Sequence, residues 1–285
     1  MTASIEAFFH SPTSTLSYVV YDMAGGHCAV IDSALDFDLS SGVVSTEFAD
    51  EIIAYIRRNQ LSLDWVLETH AHADHLTAAS YIKSKLGGKI GVGQHVEDVQ
   101  AYFAPVFAMG GTNQTAGALR HQYFDHYFQD KEEFSIGMLT VTVVETPGHT
   151  SDSVTYLVNQ NAFIGDTLFM PDFGSARCDF PGGDAKQLFG SIQRIYALPD
   201  STRLWVCHDY QPGGRELEYQ TTVGESKLNN IHITGETSEN EFVQFRSERD
   251  KQLNVPKLLY PAIQVNIRAG VLPEAFIKIP ISKTF

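Results

Sequence analysis

Three histidines and one aspartate lie within six consecutive residues of this sequence. They are His70, His72, Asp74 and His75, in the run Thr-His-Ala-His-Ala-Asp-His. Two histidines that stand two positions apart at the end of a strand project their rings to the same face, and the other two residues follow as the chain turns into a predicted helix. Imidazole and carboxylate groups are usual ligands of protein-bound metals. The segment therefore predicts the metal centre of an enzyme rather than an accidental polar cluster.

Four candidate ligands along the chain share one feature, because each directly follows a run that predicts a strand. They are His70, His149, Asp166 and His208. Strand ends gather at the edge of a sheet and hold side chains rigidly, as metal coordination requires. We therefore expect these residues to converge on one cleft, although long stretches of sequence separate them.

Hydrophobic periodicity indicates the elements that position these residues. Alternating or β-branched apolar runs predict strands, and apolar spacings of three and four residues predict helices. The apolar stripe of Phe48, Ile52, Ile53 and Ile56 predicts a helix capped by Thr46, and the stretch 36–45 before it is polar and rich in glycine and serine. Strands are predicted at 16–21, 28–31, 64–67, 89–92, 138–144, 155–158, 162–164 and 204–207, and further helices at 75–86 and 184–197.

The chain is predicted to contain one main domain with a helical appendage. Residues 1–222 carry all the predicted strands, whereas from Val223 onward the pattern is helical and charged. We therefore expect residues 223–285 to form a C-terminal extension packed on the same domain. Residues 95–130 combine helix-like pieces with a Gly-Gly-Thr-Asn-Gln loop and lack strong periodicity, which predicts an insertion or flap over the cleft.

The composition is typical of a compact soluble protein. The chain has 285 residues, of which 43% are hydrophobic and 19% are charged, so it can bury a large core. No apolar run is long enough to span a bilayer, and the first residues lack the basic and apolar regions of a secretion signal. These features predict a cytoplasmic protein without a membrane partner.

Charge and cysteine content narrow the classes of function. The formal net charge is −14, so a nucleic-acid backbone would be repelled and a metallonuclease is disfavoured. The three cysteines, Cys28, Cys178 and Cys207, are widely spaced and form no Cys-x-x-Cys pair. Their spacing argues against a disulfide framework and against a thiolate zinc site, and it favours a reducing compartment.

Four motifs together resemble the metallo-β-lactamase superfamily: His-x-His-x-Asp-His at 70–75, Pro-Gly-His-Thr at 147–150, Gly-Asp-Thr at 165–167 and His-Asp-Tyr at 208–210. The resemblance implies an α/β fold of the four-layer αββα sandwich type, with metal at one edge of two packed sheets. It also implies two neighbouring metal sites joined by Asp166. In the family pattern the first site would use His70, His72 and His149, and the second would use Asp74, His75 and His208.

Within this superfamily the chain resembles the persulfide dioxygenase branch, also called sulfur dioxygenases, more than the related glyoxalase II enzymes. The resembling segments are Gly-Ser-Ala-Arg-Cys-Asp-Phe at 174–180 and the tail segments 221–225 and 261–270. This resemblance implies one Fe(II) held by His70, His149 and Asp166, the ligand set of non-haem iron oxygenases. It further implies a homodimer that oxidises glutathione persulfide, or a similar small persulfide, with O₂ to sulfite and thiol. Segments 169–173 and 95–130 depart from this branch and leave the thiol carrier open.

The alternative is a di-zinc thioester hydrolase resembling glyoxalase II. In that enzyme two Zn²⁺ ions would lower the pKa of a bridging water, and the resulting hydroxide would attack the thioester. A non-enzymatic binding module is a third alternative, which the complete set of ligand positions disfavours. The two functions give different roles to four residues: His72, Asp74, His75 and His208. In the di-zinc enzyme these residues would form the second metal site. In the single-iron enzyme they would orient the iron ligands or form a vacant or weakly occupied second site.

Three residues have predicted roles beyond metal binding alone. Arg177 would pair with a carboxylate of the substrate, and Tyr210 would donate a hydrogen bond to substrate near the metal. Asp74 would contribute to catalysis as a hydrogen-bond partner of a ligating imidazole. For Arg177, an ion pair with Asp179 or Asp172 is an equal alternative, and for Tyr210 the alternative is a buried, structural aromatic ring.

Overall fold

A computed structural model describes residues 2–107, 122–274 and 277–280 of the chain. The described strands are β1 (Ser4–His10), β2 (Thr15–Tyr21), β3 (His27–Ile31), β4 (Ala34–Asp38), β5 (Val43–Ser45), β6 (Ser62–Leu67), β7 (Leu76–Thr77), β8 (Lys89–Gly93), β9 (His126–Phe128), β10 (Glu133–Ile136), β11 (Leu139–Glu145), β12 (Val154–Val158), β13 (Asn161–Phe163), β14 (Arg203–Trp205) and β15 (Gln220–Thr222). The described α-helices are α1 (Glu47–Arg58), α2 (Ala79–Leu86), α3 (Val96–Val106), α4 (Ala185–Tyr196), α5 (Val223–Asn229), α6 (Glu239–Asp250) and α7 (Leu259–Asn266).

The strands form two six-stranded sheets and one small sheet. The first large sheet has the order β1-β2-β3-β6-β8-β9, and the second has the order β10-β11-β12-β13-β14-β15. The small sheet contains β5, β4 and β7. Strands β3, β6 and β8 run parallel to one another, whereas β10 to β13 are antiparallel.

Strands β2 and β3 of the first sheet are buried on both faces because they are mostly apolar at successive positions. Val19 and Val30 join the buried cluster that contains Ile52 of α1. Their neighbours Tyr18 and Ile31 point to the opposite face, as alternation along a strand requires, and join the cluster of the second sheet. One face of this sheet therefore packs on helices and the other packs on the second sheet.

The second sheet shares its apolar cluster with α4. Leu188, Ile192 and Ile195 recur at helical spacing and are buried together with Val143 and Tyr156. The helix begins at Asp184, whose side chain accepts a hydrogen bond from the backbone N–H of Gln187. With helices on the first sheet and α4 on the second, the predicted αββα sandwich is confirmed.

The structure differs from the predicted elements around the first sheet. The edge strand β1 has no predicted counterpart, because its side chains are mostly half-buried and lack a continuous apolar run. The polar stretch 36–45 forms the β4–β5 hairpin. The helix predicted from residue 75 begins at Ala79, because Leu76 and Thr77 pair with β4 as β7. The histidine segment therefore lies in an irregular loop between β6 and β7.

Beyond residue 222 the described elements are the helices α5, α6 and α7. Phe242 of α6 is buried in the cluster of the second sheet, and Ala262 of α7 is buried in that of the first. These helices thus pack on the sandwich, and the domain boundary at 222 stays a prediction.

The segment 95–130 is described in part. Helix α3 buries Val99 and Phe103 in the first cluster, and β9 pairs with β8. Residues 108–121 lie outside the described residues, so the flap stays a prediction. All three cysteines are buried. None of the helices in the described residues has the length and apolar character that crossing a membrane requires.

Candidate metal centre

Four strand ends deliver polar side chains to one buried region. His70 follows β6, His149 follows β11, Asp166 follows β13 and His208 follows β14. All four side chains are buried. The structure therefore brings together residues that the sequence separates by up to 138 positions, from His70 to His208.

Two glycines allow the close backbone approach that this convergence needs. Gly148 and Gly165, directly before His149 and Asp166, have φ angles of 135° and 50°. A Cβ atom at position 148 would lie 2.2 Å from the backbone nitrogen of Leu188. The glycine before each ligand thus adopts a backbone conformation that other residues rarely adopt.

His70, His149 and Asp166 form the first group of candidate ligands. Nε2 of His70 lies 3.8 Å from Oδ2 of Asp166, and Nε2 of His149 lies 3.6 Å from the same oxygen. Ligand atoms about 2.0–2.2 Å from one tetrahedral ion lie roughly 3.3–3.6 Å apart. The three donor atoms therefore stand close to the spacing that a shared ion requires.

The second group contains four candidate ligands: His72, Asp74, His75 and His208. Nε2 of His208 lies 3.1 Å from Oδ2 of Asp74 and 3.4 Å from Oδ1 of Asp166. Asp166 thus directs one carboxylate oxygen to each group. His72 falls in this second group, whereas the family pattern would place it with His70 and His149.

Unpaired polar atoms show that these residues fit a metal. Buried nitrogen or oxygen atoms without a hydrogen bond normally destabilise a protein by about 1–3 kcal/mol each. Cations held by the two groups would satisfy these atoms. Within the described residues, the atoms without a hydrogen-bond partner include His70 Nε2, His72 Nδ1, Asp74 Oδ2, His75 Nε2, Asp166 Oδ1 and His208 Nε2.

In His149 and His208, the ring nitrogen Nδ1 is hydrogen-bonded to a backbone carbonyl oxygen. Nδ1 of His149 donates to the carbonyl of Arg177 at 2.7 Å, and Nδ1 of His208 donates to the carbonyl of Ser14 at 3.2 Å. A proton on Nδ1 leaves the lone pair on Nε2. The neutral form of each ring would therefore present the lone pair of Nε2 to the candidate metal position. For His208, burial acts to lower the pKa, but nearby carboxylates outweigh it and raise the pKa well above its usual range.

Asp32 orients two further histidines, His72 by a direct hydrogen bond and His70 through Thr69. Its Oδ1 accepts a hydrogen bond from Nε2 of His72 at 3.0 Å, and its Oδ2 accepts from the hydroxyl of Thr69 at 2.9 Å. That hydroxyl lies 3.0 Å from Nδ1 of His70. Burial acts to raise the pKa of Asp32, but the charge of His72 and these hydrogen bonds outweigh it and lower the pKa.

Burial dominates the pKa shifts of three candidate ligands, His70, His75 and Asp166. Loss of solvation, reinforced by the neighbouring imidazoles, lowers the pKa of His70 well below its usual range. Burial and the nearby His72 lower the pKa of His75 to about 4 despite Asp74. Burial raises the pKa of Asp166, a penalty that a bound cation would remove. The two imidazoles are thus neutral near pH 7, as metal binding requires.

Asn266 of α7 fixes the loop that carries the histidine segment. Its side-chain N–H groups donate to the carbonyls of His72 and His75, each at 2.8 Å, and its oxygen accepts from the backbone N–H of Thr77 at 2.8 Å. The side chain is buried. The tail segment 261–270 therefore contributes directly to the geometry of the metal loop.

A cleft of about 240 Å³ opens beside the metal groups. Asp74, His149 and Asp166 form its metal-side wall. Aromatic rings form much of the remaining wall, and three arginines reach it as well. These cleft residues are Phe169, Phe173, Phe180, Tyr210, Arg177, Arg246 and Arg249.

The guanidinium of Arg177 is occupied by the protein itself. It makes a bidentate ion pair with Asp179, at 2.5 and 2.6 Å, and donates to the carbonyl of Asn254 at 2.7 Å. Asp172 pairs with Arg215 instead. The structure therefore contains the ion pair with Asp179 that is the alternative to substrate binding. Arg177 also lines the cleft, so its binding to substrate stays a prediction.

Tyr210 lies at the cleft and is 42% exposed. Its ring stacks on His208 with a centroid distance of 5.6 Å, and it contacts Phe173 at 4.6 Å. Its hydroxyl has no hydrogen-bond partner in the described part of the chain. The ring is thus not buried, and hydrogen bonding to substrate stays a prediction.

Three residues at or near the site are not among the site residues predicted from the sequence: Asp32, Asn266 and Arg249. Asp32 directly follows β3, so the strand-end rule that selected His70 also applies to it. Asn266 and Arg249 carry no such signal, because helical segments place them near the site only through tertiary packing. Arg249 is an exposed residue of α6 that lines the cleft, and no acidic side chain of the described residues pairs with it.

Comparison with known proteins places these features in a family. Residues 10–208 match the family model described as the metallo-beta-lactamase superfamily. A probable metallo-hydrolase of Burkholderia pseudomallei is 44% identical over 98% of this chain and 99% of its own length. Glyoxylase B2 of Dictyostelium discoideum is 43% identical over 98% of this chain and 97% of its own length.

Other similar proteins include a longer one and a more distant one. A beta-lactamase hydrolase-like protein of Agrobacterium fabrum is 50% identical over 95% of this chain, which spans 61% of that relative's length. The mitochondrial persulfide dioxygenase ETHE1 of Homo sapiens is 27% identical over 94% of this chain and 89% of its own length. The crystal structure of ETHE1 from Myxococcus xanthus has a TM-score of 0.72 at 27% identity, covering 94% of this chain and 100% of that one. Since the family model spans most of the sequence and supplies the fold that the structure has, the chain belongs to the metallo-beta-lactamase superfamily.

Proposed function

We propose that this chain is a non-haem Fe(II) persulfide dioxygenase, which oxidises glutathione persulfide or a similar small persulfide to sulfite and free thiol. The observation that supports this function best is the group of His70, His149 and Asp166, in which two imidazole nitrogens and one carboxylate oxygen meet from three strand ends. This donor set is typical of non-haem iron oxygenases. The likeness to ETHE1 proteins supports the same function.

The proposed reaction combines one persulfide, RSSH, with one O₂ and one water. The S–S bond breaks, the terminal sulfur is oxidised to sulfite, O₂ is reduced, and the inner sulfur leaves as the thiol RSH. A bound Fe(II), held by His70, His149 and Asp166, would supply the redox chemistry that couples oxidation of the sulfur to reduction of O₂.

Residues of the chain orient the metal ligands and form the wall against which the substrate would lie. Asp32, through Thr69, holds the ring of His70 with Nε2 toward the metal position, and the carbonyl of Arg177 does the same for His149. Phe180 packs edge-on against His149 at 5.3 Å. The sulfur end of a substrate would therefore meet an apolar aromatic wall beside rigid ligands.

The charge of the cleft favours a thiol that carries a carboxylate. Arg249 lines the cleft without an acidic partner in the described residues, in a chain whose formal net charge is −14. An unpaired guanidinium offers a carboxylate two parallel hydrogen bonds. Glutathione and similar small peptide thiols satisfy this requirement.

A di-zinc thioester hydrolase is the second candidate function. It is favoured by the complete second group of ligands, by the position of Asp166 between the two groups, and by the likeness to a protein named Glyoxylase B2. In that enzyme Asp166 would help to hold both metals, one with each carboxylate oxygen, and the metals would supply an activated water for thioester hydrolysis.

Oxygen consumption distinguishes the two functions. Protein loaded anaerobically with Fe(II) is mixed with glutathione persulfide, and O₂ uptake and sulfite are measured in parallel with hydrolysis of S-lactoylglutathione by zinc-loaded protein. We expect equal amounts of O₂ consumed and sulfite formed, with slow thioester hydrolysis. Rapid thioester hydrolysis without O₂ uptake would overturn the proposed function.

A matched pair of histidine variants controls this experiment. His149→Ala removes a ligand of the proposed iron site and should abolish O₂ uptake, whereas His95→Ala removes a half-exposed histidine outside the metal groups and should leave it unchanged. Equal loss of O₂ uptake in both variants would show that it does not depend on the proposed site.

A further inference from the structure

His232 forms part of the cleft wall, although it belongs to the segment between α5 and α6. Its ring lies directly against Gly174, where an added Cβ atom would be 2.2 Å from Nδ1 of the imidazole. Gly174 has a φ angle of 101°, which other residues rarely adopt. The backbone at 174 is therefore shaped to seat this imidazole.

Hydrogen bonds fix which nitrogen of His232 carries the proton. Nδ1 accepts from the backbone N–H of Ser175 at 2.9 Å, and Nη1 of Arg246 approaches the same nitrogen at 3.5 Å. A backbone N–H and a guanidinium can only donate, so Nδ1 is the acceptor and the proton lies on Nε2. Burial, together with Arg246 and Arg249, lowers the pKa of His232 to about 4.

The Nε2–H group is left for a ligand. It has no hydrogen-bond partner in the described residues, and the ring it belongs to lines the same cleft as Asp166 and His149. We propose that His232 is a specificity-determining residue, whose Nε2–H donates a hydrogen bond to an oxygen atom of the thiol carrier, either a carboxylate or a peptide carbonyl. This inference rests on the proposed function and names a contact within the same cleft.

The surroundings of His232 favour an oxygen acceptor and exclude proton transfer. Arg249 gives this part of the cleft positive charge, which suits carboxylate and carbonyl oxygens, whereas the charge of Arg246 is balanced by its ion pair with Asp250. Because Nδ1 is occupied by Ser175, the ring cannot pass a proton from one nitrogen to the other. His232 therefore binds and positions the carrier without acting as an acid or a base.

Two substitutions separate this contact from a structural role. His232→Asn keeps an oxygen near the position of Nδ1, so it can still accept from Ser175, but its side chain is too short to replace Nε2–H. His232→Gln reaches the position of Nε2 with an N–H and gives up the bond to Ser175. Dissociation constants of S-methylglutathione, an unreactive thioether, are measured by calorimetry on anaerobic iron-loaded protein.

The proposed contact predicts opposite results for the two variants. His232→Asn should weaken binding of S-methylglutathione about three- to tenfold, as expected for one lost hydrogen bond, and should raise KM for glutathione persulfide more than it lowers kcat. His232→Gln should bind within about twofold of the unchanged protein. Full affinity in His232→Asn with loss in His232→Gln would overturn the inference and leave only a structural role.

Truncated ligands identify the oxygen that is bound. S-methyl-γ-glutamylcysteine lacks the glycine of glutathione, and S-methylcysteinylglycine lacks the γ-glutamyl group. If the unchanged protein and His232→Asn bind one truncated ligand equally well, the part missing from that ligand contains the acceptor oxygen. If His232→Asn binds both truncated ligands more weakly, the acceptor oxygen belongs to the cysteinyl part that they share. Failure of the unchanged protein to bind any of the three would overturn the carrier class as well, whereas normal binding with no effect of His232→Asn overturns this inference alone.

A measurement on the unchanged protein covers the case in which a variant does not fold. In ¹⁵N-histidine-labelled, zinc-loaded protein, the Nε2–H resonance of His232 should be visible and should shift when S-methylglutathione is added. An unshifted resonance under saturating ligand would contradict the contact.

Discussion

Oδ1 of Asp32 lies 3.0 Å from Nε2 of His72, although the two residues are 40 positions apart in the sequence. The same carboxylate accepts hydrogen bonds from the backbone and the hydroxyl of Thr69, and this hydroxyl contacts His70. His70 and His72 belong to different ligand groups. One buried carboxylate thus orients a histidine of each group, and we expect its loss to affect both.

The first prediction concerns Asp32→Asn. The amide keeps the shape of the side chain but offers one oxygen where two are used, and its N–H group faces the N–H of His72 or the donors of Thr69. We expect the affinity for Fe(II) to fall about 10- to 100-fold, as measured by competition with a chelator. The matched control is Asp64→Asn, which weakens a carboxylate contact to the exposed His27 and should not change the affinity. Unchanged affinity in Asp32→Asn would contradict this role.

The second prediction concerns the tail. Asn266→Ala leaves the carbonyls of His72 and His75 and the N–H of Thr77 without their partner in a buried region. The free energy of unfolding should fall by about 2–4 kcal/mol, as measured by urea denaturation, and the protein should retain less iron. Asn229→Ala removes a surface contact to Glu225 and should change stability by less than about 0.5 kcal/mol. Equal stability of the two variants would contradict a role of the tail in holding the metal-binding loop.

The third prediction concerns substrate charge. Arg249→Gln removes the unpaired guanidinium of the cleft, so KM for glutathione persulfide should rise about tenfold while kcat changes little, because the contact holds substrate and transition state alike. Arg58→Gln on α1, outside the cleft, is the control and should leave both constants unchanged. A fall in kcat at constant KM would instead place Arg249 in the chemical step.

The fourth prediction compares two glycines near α4. Gly148→Ala places a methyl group 2.2 Å from the backbone nitrogen of Leu188 at a positive φ angle, so the free energy of unfolding should fall by more than about 3 kcal/mol and His149 should be displaced. Gly190→Ala meets no atom within 4 Å inside α4 and should stabilise the protein by about 0.5–1 kcal/mol. Chemical denaturation of both variants measures this contrast, and a well-folded Gly148→Ala protein with full iron content would contradict it.

The sequence predicts much of the fold because the packed elements are strongly periodic. The apolar stripe of α1 and the strands flanking His70 and His149 carry their burial pattern in consecutive residues. The elements it misses are those with weak patterns. Strand β1 lies at a sheet edge with half-buried side chains, and β4 and β5 are short strands of a small sheet in which most side chains are half-buried or exposed.

For a related reason, the sequence predicts the metal ligands but does not predict the residues that hold those ligands in place by hydrogen bonds. His70, His149 and Asp166 stand in short motifs of distinctive composition, so their types and positions are visible along the chain. Asp32 and Asn266 act through hydrogen bonds to residues that only tertiary structure brings near. A single aspartate or asparagine carries no local signal of such a contact. The low pKa of His232 likewise depends on burial and on arginines of a separate helix, which only tertiary structure provides.

The number and position of bound metal ions distinguish a single-iron site from a di-zinc site. Crystals of the protein, loaded anaerobically with Fe(II), are measured at the iron and zinc absorption edges to locate anomalous scattering. We predict one iron peak in contact with His70, His149 and Asp166, with no metal peak among His72, Asp74, His75 and His208. Two zinc peaks that occupy both groups and share Asp166 would contradict the single-iron account and favour the hydrolase.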